Sequence, residues 1–265
     1  MGLDPALGVA MTAGETTAPE ILRAENVTIM FGGFTALSNI NVSFPEGRLT
    51  AIIGPNGAGK STLFNVLSGA FPPSTGEIFF KGKEITGVPQ HAFARMGIAK
   101  SFQITNIFPQ ITALENVRIA IQAMTCRFNI WTPRSKFKEM EDEAATLLEM
   151  VGLHQHHHRL ASNLAHGEQR ALEIALALAC NPCLLLLDEP TAGMSPEETS
   201  TMMDLITDLA STRTVILVEH KMKLVMGISN HLIVLHHGEF LAEGTPDDIR
   251  SNDEVKRVYL GQGAH

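Results

Sequence analysis

Nine consecutive residues, Gly54-Pro55-Asn56-Gly57-Ala58-Gly59-Lys60-Ser61-Thr62, limit what this chain can fold into more than any other stretch. They fit G-x-x-x-x-G-K-[ST], a glycine-rich loop whose backbone N–H groups turn inward around phosphate. The flanks are the ones the pattern needs. Leu49 to Ile53 is a short apolar run that reads as a buried strand, and Leu63, Phe64, Val66 and Leu67 mark a helix starting at Lys60. The helix N-terminus adds its positive dipole end to the loop amides. In this setting Lys60 is expected to reach the β- and γ-phosphates of a nucleotide, and the Ser61 hydroxyl to ligate Mg²⁺.

A chain of 265 residues has room for one large α/β domain with a subdomain. Its apolar fraction of 45% fills a substantial core. The net charge of −8 argues against a nucleic-acid partner, which calls for a basic footprint. The most apolar region, Ala171 to Leu187, is interrupted by Glu173 and by Asn181-Pro182, so no membrane span is expected. Residues 1–20 lack the pattern of a signal peptide and read as a loose tail. Three cysteines (Cys126, Cys180, Cys183) form no disulfide framework. The C-x-x-C spacing of Cys180 and Cys183 falls where a helix hands over to a strand, and buried core cysteines are expected there.

Along the chain, residues 21–31 and 39–44 read as paired antiparallel strands, with Phe31 as a core aromatic or a platform for an adenine ring. Gly76–Phe80 reads as a strand, 89–96 as a short helix, and Ile98–Gln103 as a strand ending on glutamine. Thr112 and Glu115 have capping-box spacing at the start of a helix. Residues 124–135, with Trp131, read as an irregular insert before a helix over 136–151. His154-Gln155-His156-His157-His158 reads as a surface turn, because no carboxylate or cysteine stands beside it in the sequence. Leu184–Leu187 is continuous and apolar, like a central parallel strand, and ends in Asp188-Glu189. Ser195, Pro196 and Glu198 fit the N-cap, N1 and N3 positions of the next helix. A strand over Thr214–Val218 ends in Glu219-His220, and Ser251 with Glu254 is expected to cap the last helix. Strands alternating with helices give a largely parallel α/β core.

Leu164-Ala165-His166-Gly167-Glu168-Gln169-Arg170 makes the reading more specific, because it resembles the signature motif of ABC-type ATPases, usually L-S-G-G-Q-Q/R. The other landmarks of that family follow in order. Phe31 resembles its adenine-stacking aromatic, Gln103 its Q-loop glutamine and Asp188-Glu189 the end of its second nucleotide-binding strand. Ala192-Gly193-Met194-Ser195 resembles its D-loop, and His220 its switch histidine. The wording around Val218–Ser229, Gly244-Thr245-Pro246 and Val258–Gly261 is similar to the ATP-binding subunits of branched-chain amino acid importers. Relatives handling urea, amides or other solutes, and soluble ABC ATPases outside transport, stay open as alternatives.

The resemblance implies an α/β P-loop core with an antiparallel β subdomain, an inserted helical subdomain over about 104–165, and a C-terminal extension over about 238–265. It implies ATP and Mg²⁺ as ligands. Nucleotide contacts fall on Phe31, Gly54 to Thr62 (Gly54, Pro55, Asn56, Gly57, Ala58, Gly59, Lys60, Ser61, Thr62) and, across a dimer, Ala165, His166, Gly167 and Glu168. Mg²⁺ falls to Ser61, Gln103 and Asp188, and catalysis to Glu189, His220, Lys60 and Gln103. Partners implied are integral-membrane permeases, a second ATPase subunit and, through the complex, a solute-binding protein, with the chain at the cytoplasmic face of the membrane. Two positions depart from the pattern. Ala165 replaces the usual signature serine, and Ser195 replaces the D-loop acid.

Overall fold

A computed structural model describes residues 19–101, 107–125 and 134–260. The expectations for the N-terminal tail, Gln103, Cys126 and residues 126–133 of the Trp131 insert lie outside those residues; the ends of that expected insert, 124–125 and 134–135, are helical instead.

Three strands carry the centre: β3 (Leu49–Ile53), β7 (Leu184–Asp188) and β8 (Thr214–Val218), every residue of each buried. Continuous apolar runs suit strands covered on both faces, which is the situation in a parallel sheet. In chain order the elements before them are β1 (Glu20–Phe31) and β2 (Phe34–Pro45); between them come α1 (Lys60–Leu67), β4 (Thr75–Phe80), β5 (Lys83–Glu84), α2 (Gln90–Met96), β6 (Ile98–Lys100), α3 (Ala113–Thr125), α4 (Arg134–Met150) and α5 (His166–Leu178). After β7 come α6 (Pro196–Ala210), β8, α7 (Met222–Ile228), β9 (His231–His236), β10 (Glu239–Gly244), α8 (Pro246–Ser251) and α9 (Asp253–Leu260).

The larger sheet runs β10-β9-β3-β8-β7-β6, parallel except for the antiparallel edge strand β10. The second sheet, β2-β1-β4-β5, is antiparallel. Alternation along the central strands feeds two cores. Leu185 and Leu187 join α3, α4, α5 and α6 in one core, while Leu184 and Leu186 join α1 and the antiparallel sheet in the other. Register aligns Asp188 with Val218, and Val218 with Ile52, so β3, β7 and β8 end at one edge. Ligands of open α/β sheets bind at that carboxyl edge.

The antiparallel hairpin, the two strand–helix handovers and the α6 cap match the expectations. Ser195 accepts from the Glu198 N–H at 3.2 Å, and Glu198 returns a bond to the Ser195 N–H at 2.9 Å. Four details differ. Asn252, not Ser251, caps α9, its Oδ1 accepting from the N–H groups of Glu254 and Val255, because Ser251 is still the last residue of α8. At α3, Thr112 accepts from the Glu115 N–H, but the Glu115 carboxylate pairs with Arg118, so only half of the capping box forms. Cys180 and Cys183 are half-buried free thiols rather than core residues. Asn181 between them takes φ 45° and turns the chain, and the two side chains pack against different cores. His154–His158 is a turn, as expected, but the fold brings a carboxylate to it: Glu168 Oε1 lies 3.0 Å from His156 Nε2.

Candidate functional site

The turn after β3 is shaped by close approach. A Cβ on Gly54 would stand 2.3 Å from the Leu235 carbonyl oxygen, and Gly59, at φ 97°, has Leu37 Cδ2 where its Cβ would be, at 2.6 Å. Only glycine fits either place. Gly59 is the N-cap of α1, so the helix begins at Lys60 with its first N–H groups facing the loop. The Lys60 side chain is buried and folds back, its ammonium donating to the carbonyls of Gly54 at 2.9 Å and Pro55 at 3.0 Å. Burial lowers its pKa, and the carboxylates of Glu189 and Asp188 oppose that shift. Asn56, Gly57 and Ser61 are exposed on the loop, Thr62 is half-buried and Ala58 is buried.

At the end of β7, Asp188 is 2% exposed and its Oδ1 has no hydrogen-bond partner among the described residues. Burial first, then the neighbouring Glu189 charge, push its pKa up to about 6, against the pull of Lys100 and Lys60. Unlike Asp188, the Glu189 side chain is partly open to solvent. Its backbone takes φ 44°, and its N–H is held by the Val218 carbonyl at 2.9 Å. His220 follows β8, with Nδ1 4.0 Å from Glu189 Oε1. Lys60, Asp188, Glu189 and His220, far apart in sequence, thus meet at the carboxyl edge. Phe31 sits at the tip of the β1–β2 hairpin, 54% exposed, edge-to-face with Phe71 at 5.8 Å.

Ala165 to Glu168 stand apart from that cluster. Among the described residues they share no hydrogen bond or ion pair with the phosphate loop. They bond instead to the segment after Glu189. His166 Nε2 lies 3.1 Å from the Ala192 carbonyl, and the Gly167 N–H donates to Glu198 Oε1 at 3.2 Å. Ala165 is the N-cap of α5 and has no oxygen to offer, so Glu168 supplies the single capping bond, accepting from the Ala165 N–H at 2.8 Å.

Sequence reasoning missed several residues here. Lys100 donates to Asn65 and Ser68 and acts on Asp188 electrostatically. Tyr259 of α9 packs partly buried against the core, and its hydroxyl has no hydrogen-bond partner among the described residues. Glu219, Thr191 and Glu198 tie neighbouring loops together. Their partners lie up to 31 residues away, and no local pattern signals them. An acid directly before His220 was the one available hint.

Fold and site together define a P-loop ATPase, a strand–loop–helix phosphate site beside a strand ending in two acids. The ABC transporter family matches residues 37–192, more than half of the chain. A second match, described as branched-chain amino acid ATP-binding cassette transporter, covers residues 241–265. The chain belongs to the ABC transporter family and is one of its ATP-hydrolysing cassettes. It is 42% identical to the high-affinity branched-chain amino acid transport ATP-binding protein LivG of Salmonella typhimurium, over 91% of this chain and 98% of LivG. BraF of Pseudomonas aeruginosa, which bears the same description, is also 42% identical over the same shares. Among solved structures, the ADP conformation of the cassette MJ1267 superposes with a TM-score of 0.80 at 31% identity, covering 91% of this chain and 99% of that one. The cassette MJ0796, a dimer bound to ADP and Pi, gives 0.72 at 27% identity, covering 85% and 98%.

Proposed function

We propose that this cassette powers an importer for branched-chain amino acids, working as one of two ATPase subunits beneath a pair of membrane permeases. The observation that carries the solute class is the match of its C-terminal residues to the branched-chain type, joined to 42% identity with LivG along nearly its whole length. No helix among the described residues is long and apolar enough to cross a membrane, and in this reading the permeases supply the path for solute. Residues about 104–165 are the proposed helical subdomain facing the permeases. A groove of about 650 Å³ between that part and the sheet, lined by Phe108, Ile119, Ala123 and Leu176, offers an apolar seat beside it.

In this reading the loop amides and Lys60 hold the phosphates of ATP, and Phe31 offers a face to the adenine. Glu189 polarises the attacking water as general base. His220 contacts the γ-phosphate. Asp188, whose Oδ1 has no hydrogen-bond partner among the described residues, and the exposed Ser61 hydroxyl would supply oxygens of the kind Mg²⁺ takes. Among the described residues no group of three His, Cys, Asp or Glu can hold a metal. A cation that keeps waters and takes ligands from phosphates fits that limit, and Gln103 is proposed as a further ligand. When bound, Mg²⁺ neutralises charge on the phosphates. The signature residues Ala165 to Glu168 serve the nucleotide of the partner subunit, where the α5 N-terminus and the Gly167 N–H, once released from Glu198, supply anion donors without the usual serine hydroxyl.

Affinity purification from native membranes, followed by leucine uptake in vesicles containing the recovered complex, tests this proposal. Recovery of two integral permeases and ATP-dependent leucine uptake is the expected result. Recovery of soluble partners only would overturn the transport reading, and uptake of another solute alone would overturn the solute class.

A further inference from the structure

Glu219 lies one residue before His220, at the end of β8, with none of its surface exposed. A carboxylate taken out of water needs partners, and this one draws them from two loops. Its Oε1 accepts from the Thr191 hydroxyl at 2.6 Å and from the Thr191 N–H at 3.4 Å. Its Oε2 accepts from the His220 N–H at 3.3 Å and stands 3.8 Å from His220 Nδ1. Thr191 is itself fully buried, two residues beyond Glu189. Between them the chain passes through Pro190, so fixing Thr191 limits where Glu189 can go.

The backbone of Glu189 makes that restraint necessary. At φ 44° it is in the left-handed region, which a non-glycine residue keeps only when its surroundings impose it. On one side the bond from its N–H to Val218 imposes it. On the other its carbonyl accepts from the Ala192 N–H at 3.1 Å, and the Thr191 beside that bond is fastened to the Glu219 carboxylate. The same carboxylate accepts from the His220 N–H, and His220 Nδ1 stands 3.8 Å from Glu219 and 4.0 Å from Glu189.

We propose that Glu219 is a positioning residue that locks the Glu189 loop and the His220 loop into one unit, so that base and histidine approach the γ-phosphate in a fixed mutual geometry. It acts through those two residues and touches no nucleotide. The inference rests on the roles proposed above for Glu189 and His220.

ATPase kinetics and fluorescent-nucleotide titration of the full chain test it, with Glu219→Gln, Thr191→Val, the double variant and Glu189→Gln compared. Glu219→Gln keeps the size but loses the charge and sets an amide against the His220 N–H. Its kcat is expected to fall about 10- to 100-fold, the scale of a small misplacement of a reacting group, with nucleotide Kd within about 2-fold of wild type. Thr191→Val removes the other end of the same link, so the double variant should be no slower than the slower single variant. A wild-type kcat for Glu219→Gln, additive losses, or an equal loss of nucleotide affinity would overturn the proposal. Should Glu219→Gln not fold, Thr191→Val decides: a lowered kcat with Kd kept supports the lock, and a wild-type kcat refutes it. The underlying assignment fails separately, by a near-wild-type rate in Glu189→Gln.

Discussion

Around the phosphate loop, Lys60, Asp188 and Glu219 are each no more than 6% exposed; Lys60 donates to the Gly54 and Pro55 carbonyls, and Glu219 accepts from Thr191 and the His220 N–H. At the start of α5, Ala165 and His166 are exposed, and Gly167 and Glu168 are half-buried. What holds that second region is a set of bonds near solvent, from Glu198, Glu168 and the His166 ring. The first region is fixed by the core, since its loop cannot move without disturbing β3 and β9. The second is fixed by groups that can let go, each hydrogen bond contributing on the order of 1 kcal/mol. On the reading proposed above, in which the two regions serve different subunits, the half with Lys60 and Glu189 is held by the core and the half offered to the partner is held by bonds near solvent.

The largest effect that sharpens the contrast is Glu189→Gln. Turnover should fall at least about 100-fold while ATP binding is kept, the loss expected of a positioned base. Phosphate release beside equilibrium titration reads both, and a near-wild-type rate would remove Glu189 from the chemistry. Next comes a pair of identical changes in the two regions. Gly54→Ala drives a methyl into the Leu235 carbonyl oxygen and should cost roughly 3 kcal/mol along with nucleotide binding. Gly167→Ala meets only the end of the Glu198 side chain, at 2.9 Å, with no positive φ to oppose it, and should stay within about 1 kcal/mol of wild type. Thermal and urea unfolding check the two, and equal losses would break the comparison.

A smaller effect is expected at Glu198→Ala. Exchange of the Gly167 amide with deuterium should accelerate roughly 5-fold, the equilibrium worth of one ordinary hydrogen bond, with the amides of the phosphate loop unchanged. Acid should expose the same link. Bonds from the Ser195 and Gly167 backbone amides hold the Glu198 carboxyl below its ordinary value of 4.5. A lowered folded pKa means stabilisation fully present above 4.5 and lost as pH falls through the folded value. The stability difference between wild type and Glu198→Gln should therefore be present at neutral pH and shrink below about pH 4.5. A difference that grows on acidification would contradict it.

What could be read from the sequence follows the same division. The β3–α1 turn, the buried strand before Asp188 and the Ser195 cap each depend on residues within about ten positions, and periodicity or cap chemistry reveals them. Where two local partners compete, the sequence could not choose. Glu115 goes to Arg118 rather than closing its capping box, and Asn252 takes the cap that Ser251 was expected to supply. Contacts that cross the fold left no local trace. Thr191 with Glu219, Gly167 with Glu198 and His156 with Glu168 depend on where α5, α6 and β8 come to rest. The family motifs found the signature stretch but gave no sign that its third residue, His166, reaches the Ala192 carbonyl of its own chain.

Lys60 carries one more consequence. Its ammonium already makes two good bonds, to the carbonyls of Gly54 and Pro55. An ammonium has three N–H donors, so in the proposed role one is left for a phosphate oxygen while the two carbonyls aim it. A second bond to phosphate would displace a carbonyl, which must then find another donor or water. For that second bond, measured affinity would report the difference between a charge-assisted bond to phosphate and the bond it replaces.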